Sequence, residues 1–150
     1  MRLMRDRAAR PVVLMVDDDP DDTMLMQEAL VRSGMDVHLD IVFDGADVLD
    51  YLLGLGKYGE RPPTRPDLIL IDLNMPLLDG VATIEMVKKH EDLKSIPIVV
   101  LSTSTSERDV ARAFSAGAAS YHTKPNRFEH LIGLVTILST YWFEASSLPV

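Results

Sequence analysis

The sequence has 150 residues, which suits one domain and is too short for two full domains. Hydrophobic residues make up 47% and charged residues 25%, a composition typical of globular proteins rather than disordered or membrane proteins. The net charge of -8 argues against nucleic acid as a partner, and the absence of cysteine excludes disulfides and thiolate metal sites. Because there is no signal-peptide core and no uninterrupted apolar run of about 18 residues, we expect a cytoplasmic protein with no membrane partner.

Short apolar, β-branched runs alternate along the chain with stretches that have helical spacing. The runs predict strands at residues 12–16, 37–42, 68–72, 96–101 and 120–123. The helical stretches begin near Asp21, Ala46, Val81, Glu107 and Asn126. This alternation predicts an α/β fold in which a doubly wound, five-stranded parallel sheet lies between helices. We expect an N-terminal extension at 1–10, the domain at 11–143, a tail at 144–150 and a long loop at 55–66.

Polar side chains follow four of the predicted strands. They are Asp17, Asp18 and Asp19 after the first strand, Asp72 after the third, Ser102 and Thr103 after the fourth, and Lys124 after the fifth. In a doubly wound sheet the carboxyl ends of the strands share one edge, so these groups are expected to converge. Converging carboxylates repel each other unless a cation intervenes, and oxygen ligands favour Mg²⁺, with Mn²⁺ as a substitute.

The strand ends carry four motifs that together resemble the receiver domain of two-component response regulators. The motifs are VDDDP, ILIDLNMPLLDG, VVLST and SYHTKP, and the resemblance covers about residues 11–143. It implies a flavodoxin-like (βα)5 fold and a phosphorylation switch that is not a turnover enzyme.

The resemblance implies that Asp72 is the phosphoacceptor for a histidine kinase. It also implies that Mg²⁺ binds Asp17, Asp18, Asp72 and the backbone carbonyl of Asn74. Phosphorylation adds roughly -1.5 to -2 units of charge to an already acidic site, so the metal makes the reaction possible.

The other implied roles concern the fourth and fifth strands. Lys124, Ser102 and Thr103 would contact the phosphoryl group, and Ser102 and Tyr121 would be the switch residues. The Lys124–Pro125 peptide would be cis, a conformation that is accessible before proline. The helix that begins near Glu107 would present the output surface.

The last helix carries two apolar stripes, which is more than the sheet alone requires. One stripe consists of Leu131, Val135, Leu138 and Trp142, and the other of Leu134, Ile137 and Tyr141. Broad apolar faces often mark partner surfaces, so we predict a homodimer through the set Leu134, Ile137, Tyr141, Trp142 and Phe143. The alternative is that the wide face packs under neighbouring elements. The long loop and the terminal WFEASSLP resemble the regulators of phytochrome-like histidine kinases, in which homodimers are usual.

Two other functions remain open at this level. Asp17 and Asp19 satisfy the DxD pattern of haloacid dehalogenase-like phosphatases, with Asp17 as nucleophile, although Asp21 stands where that family has threonine or valine. The second alternative function is that of a receiver-like domain that only binds proteins and is not phosphorylated. Acidic residues after a strand also serve as helix caps, and Asp21 or Asp22 could cap the first helix in that way.

Overall fold

The computed structural model of the chain describes residues 10–60, 65–75 and 78–149. The five strands are β1 (Val12–Val16), β2 (His38–Val42), β3 (Leu68–Ile71), β4 (Ile98–Ser102) and β5 (Ser120–Thr123). The five α-helices are α1 (Pro20–Ser33), α2 (Ala46–Leu53), α3 (Gly80–Lys89), α4 (Glu107–Ala116) and α5 (Phe128–Ser139). A short 3-10 helix lies at Gly56–Tyr58, and a π-helical turn at Thr140–Ala145 continues α5.

All strand pairs are parallel, and the strand order is β2-β1-β3-β4-β5. Each strand is followed by a helix, so every connection crosses one face of the sheet. The predicted doubly wound, flavodoxin-like sheet is therefore confirmed. In such a sheet the order reverses at one point, and here that point is β1 beside β3, the strands that precede Asp17 and Asp72.

Helices cover both faces of the sheet because neighbouring strand residues point in opposite directions. Leu14 and Val16 join the core formed with α2, α3 and α4, whereas Val13 and Met15 join the core formed with α1 and α5. β3 and β4 are buried throughout and β1 at every residue after Val12, which explains why these strands appear in the sequence as unbroken apolar runs.

Aspartate side chains cap the first turns of α1 and α3. The Asp19 side chain accepts a hydrogen bond from the Asp21 N–H, and Pro20 occupies the first turn of α1. The alternative that Asp21 or Asp22 caps α1 is not observed, because the helix begins at Pro20 and Asp19 occupies the cap position. In the same way, Asp79 accepts from the Ala82 N–H at the start of α3.

Part of the predicted long loop at 55–66 and nearly all of the predicted extension at 1–10 lie outside the described residues. Within the parts of the chain that the structure describes, no helix combines the length and apolar character needed to cross a bilayer.

Candidate phosphoacceptor and metal site

Backbone hydrogen bonds continue the sheet just past its strands and align the polar side chains at one edge. The Asp72 N–H donates to the Val16 carbonyl at 3.0 Å, and the Lys124 N–H donates to the Ser102 carbonyl at 2.8 Å. These bonds hold residues from β1, β3, β4 and β5 in one row. The predicted convergence of the four strand ends is present in the structure.

The ammonium group of Lys124 lies at the centre of this edge and contacts three carboxylates. Its Nζ is 2.6 Å from Asp22 Oδ2, 2.9 Å from Asp17 Oδ2 and 3.2 Å from Asp72 Oδ2. Burial alone would lower the pKa of Lys124, but the hydrogen bonds to Asp22 and Asp17 and the charges of Asp17 and Asp72 raise it well above its usual range. Lys124 is therefore a fixed positive charge next to Asp72.

Asp17 is the most deeply buried acid of the site, with 1% of its side chain exposed. Burial raises the pKa of Asp17, and the charge of Asp72 adds to the effect, whereas hydrogen bonds from the Asp19 N–H and Lys124 oppose it. The Asp19 N–H donates to Asp17 Oδ1 at 2.9 Å, so both carboxylate oxygens of Asp17 have donors. A further cation would favour the charged form of this acid.

Three of the predicted metal ligands lie together. Asp17, Asp18 and Asp72 each offer a carboxylate oxygen, and these atoms all lie within 4.8 Å of one another. Asp18 is exposed to solvent while Asp17 and Asp72 are buried, so the cluster forms one side of an open site. An all-oxygen set with an open side fits a hard divalent ion that retains water, such as Mg²⁺. The Asn74 N–H donates to Asp72 Oδ1 at 3.2 Å, which places Asn74 beside the acceptor.

Asp22 is the residue of this site that the sequence analysis did not assign to it. Asp22 lies four and seven positions before the buried residues Met26 and Ala29, so all three share the inward face of α1. That spacing is the signal that could have found it. From the sequence alone, Asp22 is expected only as a possible cap of α1.

The predicted switch residues are linked through the loop between β4 and α4. Ser102 is fully buried, and its hydroxyl accepts from the Ser104 N–H at 3.2 Å, while Thr103 is exposed. The Tyr121 hydroxyl donates to the Ser104 carbonyl at 2.8 Å, and the Ser104 hydroxyl donates to Asp109 Oδ2 at 2.6 Å. Tyr121 and the start of α4 therefore hold the same loop.

The prediction of a cis Lys124–Pro125 peptide is wrong. No peptide bond is cis within the described residues 10–60, 65–75 and 78–149. The trans form is the lower in energy even before proline, by about 0.5–1 kcal/mol. From that form Lys124 still reaches Asp17 and Asp72.

The predicted dimer residues fall into two groups. Ile137 and Tyr141 are 64% and 55% exposed. In contrast, Leu134, Trp142 and Phe143 are partly buried and pack against the core that α1 and α5 share with the sheet. Part of the broad apolar face therefore covers the core, and Ile137 and Tyr141 remain at the surface.

The fold and the acidic edge define the class of the protein. The sequence model of the response regulator receiver domain matches residues 13–136, and the chain belongs to that family. Among individual proteins, the chain is similar to the response regulator Rcp1 of Synechocystis sp., with 38% identity over 147 residues that cover 97% of this chain and 99% of that protein.

Solved structures agree with this placement. The Mn²⁺-bound form of Rcp1 aligns with a TM-score of 0.82 and 37% identity, covering 93% of this chain and 99% of that one. The phosphorylated cyanobacterial phytochrome response regulator RcpA aligns with a TM-score of 0.85 and 34% identity, covering 95% of this chain and 100% of RcpA. RPA3017 of R. palustris, a response regulator in red light signalling, aligns with a TM-score of 0.85 and 31% identity. That alignment covers 93% of this chain and 99% of RPA3017. The predicted family is confirmed, and these matches do not support the phosphatase alternative.

Proposed function

We propose that Asp72 accepts a phosphoryl group from the phosphohistidine of a histidine kinase and that the phosphorylated domain then presents a changed surface to another molecule. One observation carries this proposal. The Asp72 carboxylate lies at the end of β3, 3.2 Å from the Lys124 ammonium and within the oxygen cluster formed with Asp17 and Asp18.

In the proposed transfer, an Asp72 carboxylate oxygen forms a bond to phosphorus while the P–N bond of the phosphohistidine breaks. The electron pair of that bond returns to the imidazole nitrogen, and because the other ring nitrogen of the phosphohistidine carries a proton, the products are an acyl phosphate and a neutral histidine. Lys124 lies where it can stabilise negative charge on the phosphoryl oxygens. Because the phosphoryl group stays on the chain, the protein acts as a switch and not as a turnover enzyme.

We assign Asp17, Asp18, Asp72 and the backbone carbonyl of Asn74 to a Mg²⁺ site that could also take Mn²⁺, the ion in the solved Rcp1 structure. When bound, the ion would offset the charges of the carboxylates and of the phosphoryl oxygens. The open side of the cluster at Asp18 supports this assignment, because the metal and the phosphoryl donor must both enter from solvent.

The proposed readout runs through the loop after β4. Ser102 and Thr103 would donate to the new phosphoryl oxygens, and Tyr121 would follow the loop because its hydroxyl is bonded to the Ser104 carbonyl. The Ser104 hydroxyl extends the same movement to Asp109 in α4. The output surface in this proposal is therefore the exposed face of α4.

The proposed phosphoryl donor is a histidine kinase of the phytochrome type. RcpA, a phytochrome response regulator, and RPA3017, a response regulator in red light signalling, are similar to this chain and support this choice. We place the protein in the cytoplasm, where such kinases are phosphorylated with ATP.

We also propose that the receiver domain at 11–143 forms a homodimer through α5 and the segment that follows it. Ile137 and Tyr141 are the exposed members of the candidate surface, and the side chains beside them are already ordered by core packing. Light scattering of wild type and Ile137→Glu, with and without beryllofluoride, tests this. Val31→Glu is the matched control, since it places the same charge at an exposed apolar position of α1. A wild type that is monomeric in both states would exclude the dimer.

Acetyl phosphate with Mg²⁺ tests the phosphoacceptor. We expect one phosphoryl mass increment in wild type and none in Asp72→Asn. Borohydride trapping followed by peptide mapping should place the label at Asp72. Label at Asp17 would instead identify the phosphatase-type nucleophile, and equal increments in wild type and Asp72→Asn would refute the assignment of Asp72.

A further inference from the structure

Asp22 makes the shortest of the three contacts to Lys124, although it belongs to neither the proposed acceptor nor the proposed metal site. Its Oδ2 lies 2.6 Å from Nζ, closer than the oxygens of Asp17 and Asp72 at 2.9 and 3.2 Å. The contact joins the first turn of α1 to the loop after β5, across 102 residues of sequence. Asp22 is thus a fourth carboxylate at the edge of the site.

The position of Asp22 is fixed by a helix. It lies on the inward face of α1 with Met26 and Ala29, which are 2% and 0% exposed. The start of α1 is fixed in turn by Pro20 and by the cap at Asp19. Because the helix is anchored at its first turn and along its buried face, Asp22 is a rigid anchor for the flexible lysine side chain.

A lysine ammonium has three N–H donors, and here three carboxylate oxygens occupy them. A phosphoryl oxygen that binds Lys124 must therefore replace or share one of these partners. Asp72 would carry the phosphoryl group, and Asp17 would bind the metal. Asp22 is the remaining partner, and it competes with the phosphoryl oxygen for the ammonium.

We propose that Asp22 is a positioning residue that restrains Lys124 and thereby weakens the hold of the site on a phosphoryl group. This inference rests on the proposed role of Asp72. In this proposal Asp22 acts through Lys124, to which it is hydrogen-bonded. Its charge sets how much of the lysine's hydrogen bonding is available to the phosphorylated state.

Replacing Asp22 by asparagine keeps the shape of the side chain but removes the charge that attracts the ammonium. Charge-assisted hydrogen bonds are roughly twice as strong as neutral ones, so Lys124 should shift its bonding towards an anion on Asp72. We expect Asp22→Asn to bind beryllofluoride about threefold to tenfold more tightly than wild type at saturating Mg²⁺.

The test is calorimetric titration of the full chain with beryllofluoride, a phosphoryl mimic, at saturating Mg²⁺. Asp21→Asn is the matched control, because it removes the same charge from the same helical turn at an exposed position. Asp22→Glu keeps the charge and should retain wild-type affinity. Asp22→Ser provides a second charge-removing variant in case Asp22→Asn does not fold, and thermal melting of each variant establishes folding.

A double-mutant cycle separates action through Lys124 from a general charge effect. In a Lys124→Met background, the gain from Asp22→Asn should disappear. Persistence of the gain in that background, or an equal gain in Asp21→Asn, would overturn the inference. Weaker binding by Asp22→Asn would also overturn it, since it would make Asp22 a helper rather than a restraint. Failure of the folded wild type to bind the mimic would instead refute the proposed function of Asp72.

Discussion

The hydroxyl of Tyr121 donates a hydrogen bond of 2.8 Å to the backbone carbonyl of Ser104. This bond links β5 to the loop between β4 and α4, and the Ser104 hydroxyl passes the link to Asp109 at 2.6 Å. The loop is therefore held by both β5 and α4, so a shift of the loop would be transmitted to both elements.

Tyr121→Phe removes this hydroxyl and leaves the ring in place. We expect the free energy of unfolding to fall by about 0.5–1.5 kcal/mol and the amides of Ser104 and Ser106 to exchange hydrogen faster. Urea denaturation and amide exchange measure the two effects. Tyr141→Phe removes a hydroxyl from an exposed ring outside this loop, in the π-helical turn after α5, and serves as the control. Unchanged exchange at the loop in Tyr121→Phe would show that the bond does not hold it.

Gly80 permits the close approach of α3 to the backbone of Asp72 and Leu73. A Cβ at this position would lie 2.4 Å from the Asp72 carbonyl oxygen and 2.7 Å from Leu73 Cα, and backbone cannot move aside as a flexible side chain can. Gly80→Ala should therefore destabilise the domain by about 1–3 kcal/mol and slow labelling of Asp72 by acetyl phosphate.

Gly133 in α5 is the matched control for this substitution. A Cβ there meets nothing within 4 Å, so Gly133→Ala should stabilise the helix by up to about 1 kcal/mol and leave labelling unchanged. Denaturation and the rate of mass increase measure both variants. Normal stability and labelling in Gly80→Ala would mean that the backbone of Asp72 and Leu73 can shift without loss of stability.

The core could be predicted from the sequence because it depends on local patterns. The short apolar or β-branched runs predicted all five strands, and the observed start of β2 at His38 and of β4 at Ile98 differs from the predictions by one and two residues. Pro97 has no N–H to donate, which explains why β4 begins after it. The acidic edge followed from the same patterns, because parallel strands place their carboxyl ends together.

What the sequence did not predict depends on geometry between distant parts of the chain. The contact of Asp22 with Lys124 requires the entry angle of α1, which Asp19 and Pro20 set through the cap. The π-helical turn at Thr140–Ala145 could not be predicted from the spacing of the apolar residues in the last helix. The trans Lys124–Pro125 peptide shows that a feature transferred by resemblance does not follow from the residues alone.

His122 in β5 should make the stability of the domain depend on pH. Burial lowers the pKa of His122 below its ordinary value of 6.5, so the unfolded chain binds the proton more tightly than the folded chain does. The stability associated with the neutral ring is present above 6.5 and is lost as the pH falls through the lower folded value. Urea denaturation at about pH 7.5 and about pH 5.5 should show a smaller loss in His122→Gln than in wild type. Equal losses in the two proteins would contradict this assignment.

The oxygen cluster should make Mg²⁺ a stabilising ligand even without a phosphoryl group. A ligand that binds only the folded state adds about 2.7 kcal/mol at a concentration one hundred times its dissociation constant, so the melting temperature should rise with added Mg²⁺. Asp18→Asn should reduce this rise, because the exposed carboxylate is one of the three clustered oxygens. Asp19→Asn is the matched control, since it removes the same charge one residue away while asparagine still caps α1. Thermal melting in a Mg²⁺ titration measures the effect, and equal rises in the two variants would show that the ion senses only the overall negative charge.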